Sequence, residues 1–299
     1  MSYFHLNFIL KGKLTVCCLL MLSVMPLNAQ REAKQIGDFK ESISLNEHLR
    51  GTKRTLQYRP DGDEFVCVNG KNRYTRALYG SHSPFRVETS DRPVFAFYNN
   101  GRGGNISFKV ILRDGTELAL DCTGHCESRY SAGKRTYYLT DPSWGKGELR
   151  ISVLALADMD GAIWRFSPSN MPKGAILRWQ HGGATGKRLS RNGDMGVDPA
   201  DCFELPVEAT DLVTGELPLQ KEVYLVRGEV PEGYNVRKLY QQAEAASLAL
   251  ASHLKIETPD PYLNTLGGAL VAAADGIWDG QVWLHGAIGW RMPLSGWRA

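Results

Sequence analysis

The sequence predicts a mainly β protein, with a large antiparallel β-sandwich over residues 56–230 followed by two helices. Three observations carry this reading. Short runs of alternating hydrophobicity recur through 56–228, separated by glycine, asparagine and aspartate turn signals. No long stretch of helical period interrupts them. After Pro231 the apolar spacing changes to 3.6 residues, and prolines bound the segments.

The first segment, 1–29, reads as an export signal. Lys11 and Lys13 form a basic start, "LTVCCLLMLSVMPL" is a short apolar run, and "LNAQ" offers cleavage after Ala29. The run falls short of the roughly 20 residues needed to span a bilayer. Cys17 and Cys18 lie inside it rather than after it, which argues against a lipid anchor. The expected location is exported, in a periplasm, with no membrane span in the mature chain. Residues 30–55 are polar and read as a leader.

Strand signals begin at residue 56. "EFVCVNGKNRYTRALYG" sets Asn69-Gly70 between two alternating runs, a hairpin cue. "VFAFYNNGRGGNISFKVIL" is two runs around a glycine-rich turn. Further hairpins are expected on Asp114-Gly115 and Asp160-Gly161, and "AILRWQ", "CFELPVEA" and "KEVYLVRGEV" complete about ten strands. Residues 231–258 form a helical linker, with Val236, Leu239, Ala243, Ala246, Leu250 and Leu254 on one stripe. Pro259 and Pro261 break it. A second helix over 262–277 presents Leu263, Leu266, Leu270 and Ile277 on one face and small residues on the other. That pattern predicts burial on several sides.

The chain has 299 residues, 43% hydrophobic and 22% charged, an ordinary globular composition. Without Lys11 and Lys13 the 35 basic residues fall to 33, against 32 acidic. No Lys/Arg run stands out, so nucleic acid is not an expected partner. Export makes disulfides possible among Cys67, Cys122, Cys126 and Cys202, although free buried thiols are equally open. The candidate disulfide pairs Cys122 with Cys126 in "DCTGHC". Zinc there lacks a fourth ligand, and no metal or cofactor is expected. "HGGATGKR" departs from the phosphate-loop pattern at His181 and Arg188, and "DMDG" lacks the later ligands of a calcium loop. Both read as turns.

The ending "GIWDGQVWLHGAIGWRMPLSGWRA" concentrates Trp, Arg, His and Asp on glycine-rich turns. Indole faces stack on sugar rings and guanidinium groups hydrogen-bond hydroxyls, so this composition suits a carbohydrate subsite. The longer stretch "TPDPYLNTLGGALVAAADGIWDGQVWLHGAIGWRMPLSGWRA" resembles the opening of the catalytic domain in six-hairpin glycoside hydrolases. It looks most like a bacterial family from polysaccharide-degradation gene clusters, known only as a domain of unknown function. "GGATGKRLSRNGDMGVDPADCFEL" is similar to the sandwich of that family. The resemblance implies a β-sandwich, a linker helix and then an (α/α)6 barrel, of which residues 259–299 would be the truncated start. It implies a substrate-side role for Asp279, Trp283, His285, Trp290, Arg291, Trp297 and Arg298, and a polysaccharide or oligosaccharide as partner. It places the catalytic acid and base later in the barrel. The chain therefore reads as an N-terminal fragment of an exported glycoside hydrolase-like protein, itself inactive. A non-catalytic carbohydrate-binding module and a purely structural sandwich are the alternatives.

Overall fold

The computed structural model describes residues 57–71, 74–80, 82–99, 102–183, 212–230 and 232–285. The chain divides into two units, Met1–Leu56 and Gln57–Ala299, and every described residue lies in the second. Fourteen described strands form two antiparallel sheets. Sheet A has the order β1 (Arg59–Asp61), β2 (Glu64–Val68), β8 (His125–Ser131), β9 (Lys134–Thr140), β10 (Glu148–Ala155), β11 (Gly161–Ser169), β14 (Val223–Gly228). Sheet B runs β13 (Val213–Pro218), β12 (Ile176–Gly183), β6 (Arg102–Ile111), β5 (Phe95–Asn99), β4 (Arg86–Ser90), β3 (Tyr74–Leu78), with β7 (Glu117–Ala119) also on β6.

The chain order of these strands follows local turn chemistry in most places. β5 and β6 pair from Phe95↔Ile106 to Asn99↔Arg102, and β6 returns on β7 across Asp114-Gly115. β10 and β11 pair along their full length up to Ala155↔Ala162, closing on the Asp160-Gly161 turn. "CFELPVEA" lies outside the described residues.

Asn69-Gly70 is a correction. The flanking strands do not pair with each other: β2 joins β8 in sheet A and β3 joins β4 in sheet B. Asn69 takes a positive φ of 49°, and its amide and side chain bind the backbone of Cys126 instead. Gly70 then passes so close to Asp91 that a Cβ there would lie 2.3 Å from Asp91 Cβ. The dipeptide carries the chain from one sheet to the other.

Inward-facing residues of the two sheets build one core. Leu149, Ile151, Val153, Trp164 and Phe166 from sheet A meet Val87, Phe95, Ile106, Phe108 and Leu177 from sheet B. Phe95 makes edge contacts with Phe108, Tyr137 and Trp164 at ring distances of 5.6–5.8 Å, a favoured aromatic geometry. At one end the core is polar. Arg135 alternates with Tyr137 and Leu139 on β9 and therefore points inward, fully buried. Its Nη2 donates to Ser90 O and Ser128 Oγ, both at 3.2 Å, and to Tyr58 Oη, which in turn donates to buried Asp91. Tyr137 Oη donates to Ser90 O at 2.7 Å. This chain ties sheet A to sheet B through hydrogen bonds between buried polar groups.

Both expected helices form. α1 (Val236–Ala251) begins on Asn235, whose Oδ1 accepts from Lys238 N at 3.0 Å, a normal N-cap. α2 (Pro261–Gly276) begins on Asp260 with proline in its first turn. α1 packs Leu239, Tyr240 and Ala243 on the outer face of sheet A against Leu154, Leu156 and Ile163. Lys134–Glu244 at 3.0 Å and Ser247 Oγ to Ala132 O at 2.6 Å fix its middle. α2 buries its small-residue face as expected, and its leucine stripe is split, with Leu266 packed against the core. Thr265, Gly267, Ala272 and Gly276 are buried, while Leu263 and Leu270 are exposed. Small residues allow the backbone to approach its neighbours closely, as at Gly268, where a Cβ would be 3.0 Å from Ala132 Cβ. Among the described residues no helix is long and apolar enough to cross a membrane.

Candidate functional site

The aromatic ending starts where α2 stops. Ile277 caps the helix, and the chain turns back at once: Leu284 N donates to Ile277 O at 2.8 Å and Asp279 N to Val282 O at 3.2 Å. Asp279 Oδ1 accepts from Gln281 N at 2.9 Å and Val282 N at 2.8 Å, which holds the turn. The resulting miniature hairpin pairs Trp278 with Trp283, their ring centroids 4.8 Å apart at 57°. Leu284 is buried and anchors the hairpin, whereas Trp283 is 47% exposed and His285 is exposed.

The hairpin is held on a defined base. Gly276 sits against Tyr79, with space for no side chain: a Cβ would be 2.3 Å from the ring. Asp275 faces His82 at 3.4 Å. Burial, reinforced by the nearby Glu88 carboxylate, pushes the Tyr79 phenol up to about 12. Glu88 itself is ion-paired to Arg86 on the same strand, and both are buried. A cavity of about 200 Å³ lies beneath, lined by Tyr79, Gly80, Ala155, Ala243, Ala272 and Asp275.

Of the residues that the sequence singles out, Asp279, Trp283 and His285 fall on this hairpin or directly after it. Trp290, Arg291, Trp297 and Arg298 lie outside the described residues. Asp279 serves the turn through its Oδ1, a role that residue type alone does not reveal. The arrangement sets a half-exposed indole beside a polar turn and an exposed histidine, side chains suited to stacking and hydrogen bonding.

For the described cysteines the structure takes the second of the two alternatives that the sequence leaves open. Cys122 and Cys126 are free, not joined to each other. Cys122 is exposed on a short 3-10 turn, while Cys126 is buried on β8 with its Sγ 3.8 Å from Asp91 O. Burial pushes the Cys126 thiol up to about 12, and raises that of Cys67 together with the adjacent Asp91. Both are buried, away from the access that a reactive thiol needs. Among the described residues no group of three His, Cys, Asp or Glu side chains converges as a metal site would require.

The buried cluster of Tyr58, Asp91, Arg135 and Tyr137 was not legible as a unit. Its only sequence signal is the alternation in "KRTYYLT", which puts Arg135 in phase with Tyr137 and Leu139.

No curated protein matches the chain. Residues 100–229, which begin just before β6 and end just after β14, match the family model described as "Domain of unknown function (DUF4450)".

Proposed function

We propose that this chain is the β-sandwich module of an exported glycoside hydrolase-like protein acting on complex polysaccharide. In this reading α2 is the first helix of an (α/α)6 barrel, and the hairpin after it faces substrate. One observation supports it above the others: the Trp278–Trp283 pair, with Trp283 exposed on an Asp279-braced turn. The module binds and supports but does not cleave. Hydrolysis of a glycosidic bond takes an acid and a base or nucleophile, two carboxyl groups about 5–9.5 Å apart. Both carboxylates flanking the indoles are engaged elsewhere, Asp275 with His82 and Asp279 with its own turn. The same reading puts the chain in a periplasm after cleavage behind Ala29.

The test is titration of the full chain with soluble oligosaccharides, following tryptophan fluorescence. Trp283→Ala is expected to weaken binding by about tenfold, the scale of one stacked ring. Unchanged affinity in this variant would overturn the placement of substrate on the hairpin.

A structural platform is the second reading, favoured by the exposed leucines of both helices. Leu248 is 61% exposed, and Leu263 and Leu270 are also largely exposed. In this reading these side chains meet a partner surface. A platform predicts no sugar affinity, with self-association that Leu248→Glu and Leu270→Glu together abolish in sedimentation velocity.

A further inference from the structure

Among the described residues, the outer face of sheet A is covered by α1 at one end and open at the other. Cross-strand register places a row of outward residues across the open part: Val68↔Glu127↔Tyr138↔Arg150↔Ser167. Five strands at about 4.8 Å spacing make this row roughly 19 Å long, enough for several sugar rings. Tyr138, at its centre, is 41% exposed, unlike the Tyr137 beside it, which is in the core.

Tyr138 is also held in place. The Arg129 guanidinium lies 6.0 Å from its ring centroid. Arg129 is in turn pinned by Glu127 at 2.6 Å, Asp61 at 2.9 Å and Glu64 at 3.1 Å. An aromatic ring whose neighbour cannot move is ready for stacking without further loss of freedom.

Next to Tyr138, Arg150 and Glu148 occupy alternate positions of β10 and share the outer face, both exposed. They stand about 7 Å apart along the strand. Among the described residues neither makes an ion pair, with the other or with a third group. A free guanidinium fork and a free carboxylate at that spacing offer donors and acceptors to the hydroxyl groups of one sugar ring.

We propose that this face is a second glycan-binding site, separate from the aromatic hairpin. It takes a neutral pyranose chain, one ring stacked on Tyr138 and its hydroxyls bound by Arg150 and Glu148. Charge selects the neutral chain. Arg129 is already matched by three carboxylates and Arg150 is balanced by Glu148, so an anionic chain would meet no surplus positive charge. This site goes beyond the hairpin reading and shares with it only the class of ligand.

The experiment is affinity electrophoresis of the full chain in native gels containing xylan, mixed-linkage glucan, galactomannan or polygalacturonate. Wild type is expected to be retarded by at least one neutral polymer. Tyr138→Ala should weaken that retardation by about tenfold or more, Tyr138→Phe should retain it, and Arg150→Ala and Glu148→Ala should each reduce it. Thermal unfolding of each variant verifies the fold. Trp283→Ala in the same gels separates the two sites. Loss with Trp283→Ala but not with Tyr138→Ala overturns the sheet site alone, and the converse leaves the sheet site standing without the hairpin. Retardation only by polygalacturonate, or by no polymer, also overturns it.

Discussion

The guanidinium of Arg165 lies 4.5 Å from the ring centroid of Tyr240, so α1 is joined to sheet A by a cation–π contact under a packed helix. Tyr224 makes an edge contact with the same ring at 5.7 Å. Tyr240 is fully buried. Tyr240→Ala is expected to destabilise the fold by about 3–5 kcal/mol, the usual cost of deleting a buried aromatic ring. Tyr240→Phe, which keeps the ring, should cost far less. Denaturant unfolding of both variants checks the difference.

Arg135 and Asp91 are both fully buried and are linked through Tyr58. Arg135→Met leaves a buried carboxylate without its compensating charge and is expected to cost about 3–5 kcal/mol. The double variant Arg135→Met with Asp91→Asn removes both charges and should recover part of the loss. A double-mutant cycle by equilibrium unfolding measures the coupling.

Gly276 has no room for a methyl group against Tyr79. Gly276→Ala is expected to destabilise by about 1–3 kcal/mol, as overpacking does. Combining it with Tyr79→Ala should cost less than the two single losses together. Thermal melts of the set give the answer.

The three described thiols differ in access. Cys122 is exposed while Cys67 and Cys126 are buried. Brief alkylation of native protein at pH 8, followed by peptide mapping, should modify Cys122 and spare the other two until denaturant is added. A Cys122–Cys126 disulfide would instead block both.

Alkaline pH should weaken the fold. Burial raises Cys126 from an ordinary 9.0 to about 12, and Tyr79 and Tyr240 from 10.0 to about 12. The folded state therefore holds these protons after the unfolded state has released them. Their stabilisation is complete below pH 9 and is lost progressively as pH rises toward 12. Urea midpoints measured from pH 8 to 11 should fall steadily, and a flat profile would exclude these groups as the cause.

Several elements were legible because their signals are local. The turns at Asp114-Gly115 and Asp160-Gly161 close hairpins between neighbouring strands, and loop closure over a few residues needs no distant partner. The two helices were legible from their 3.6-residue apolar spacing and the prolines at 259 and 261, and they start within a residue of the expected positions. The aromatic character of the ending was equally plain, since it depends on residue type alone.

Long-range pairing was not legible, and it decides most of what concerns function. Asn69-Gly70 has the chemistry of a hairpin turn, yet Cys126, 57 residues away, takes its hydrogen bonds and the chain crosses between sheets. The pattern of α2 signals burial on several sides, and the small face and Leu266 are packed, but that Leu263 and Leu270 stay exposed is set by what the rest of the fold places against the helix. Asp279 reads as a ligand-side carboxylate and is occupied in its own turn. Tyr138 and Arg150 are 12 residues apart and meet only through the register of β9 on β10. Residue order alone was enough for the local turns, the two helices and about ten strand runs; it left β1, β4, β8, β9 and β13 unmarked. Only the tertiary structure decided which elements face each other, since each strand edge accepts many partners and the shared core selects one.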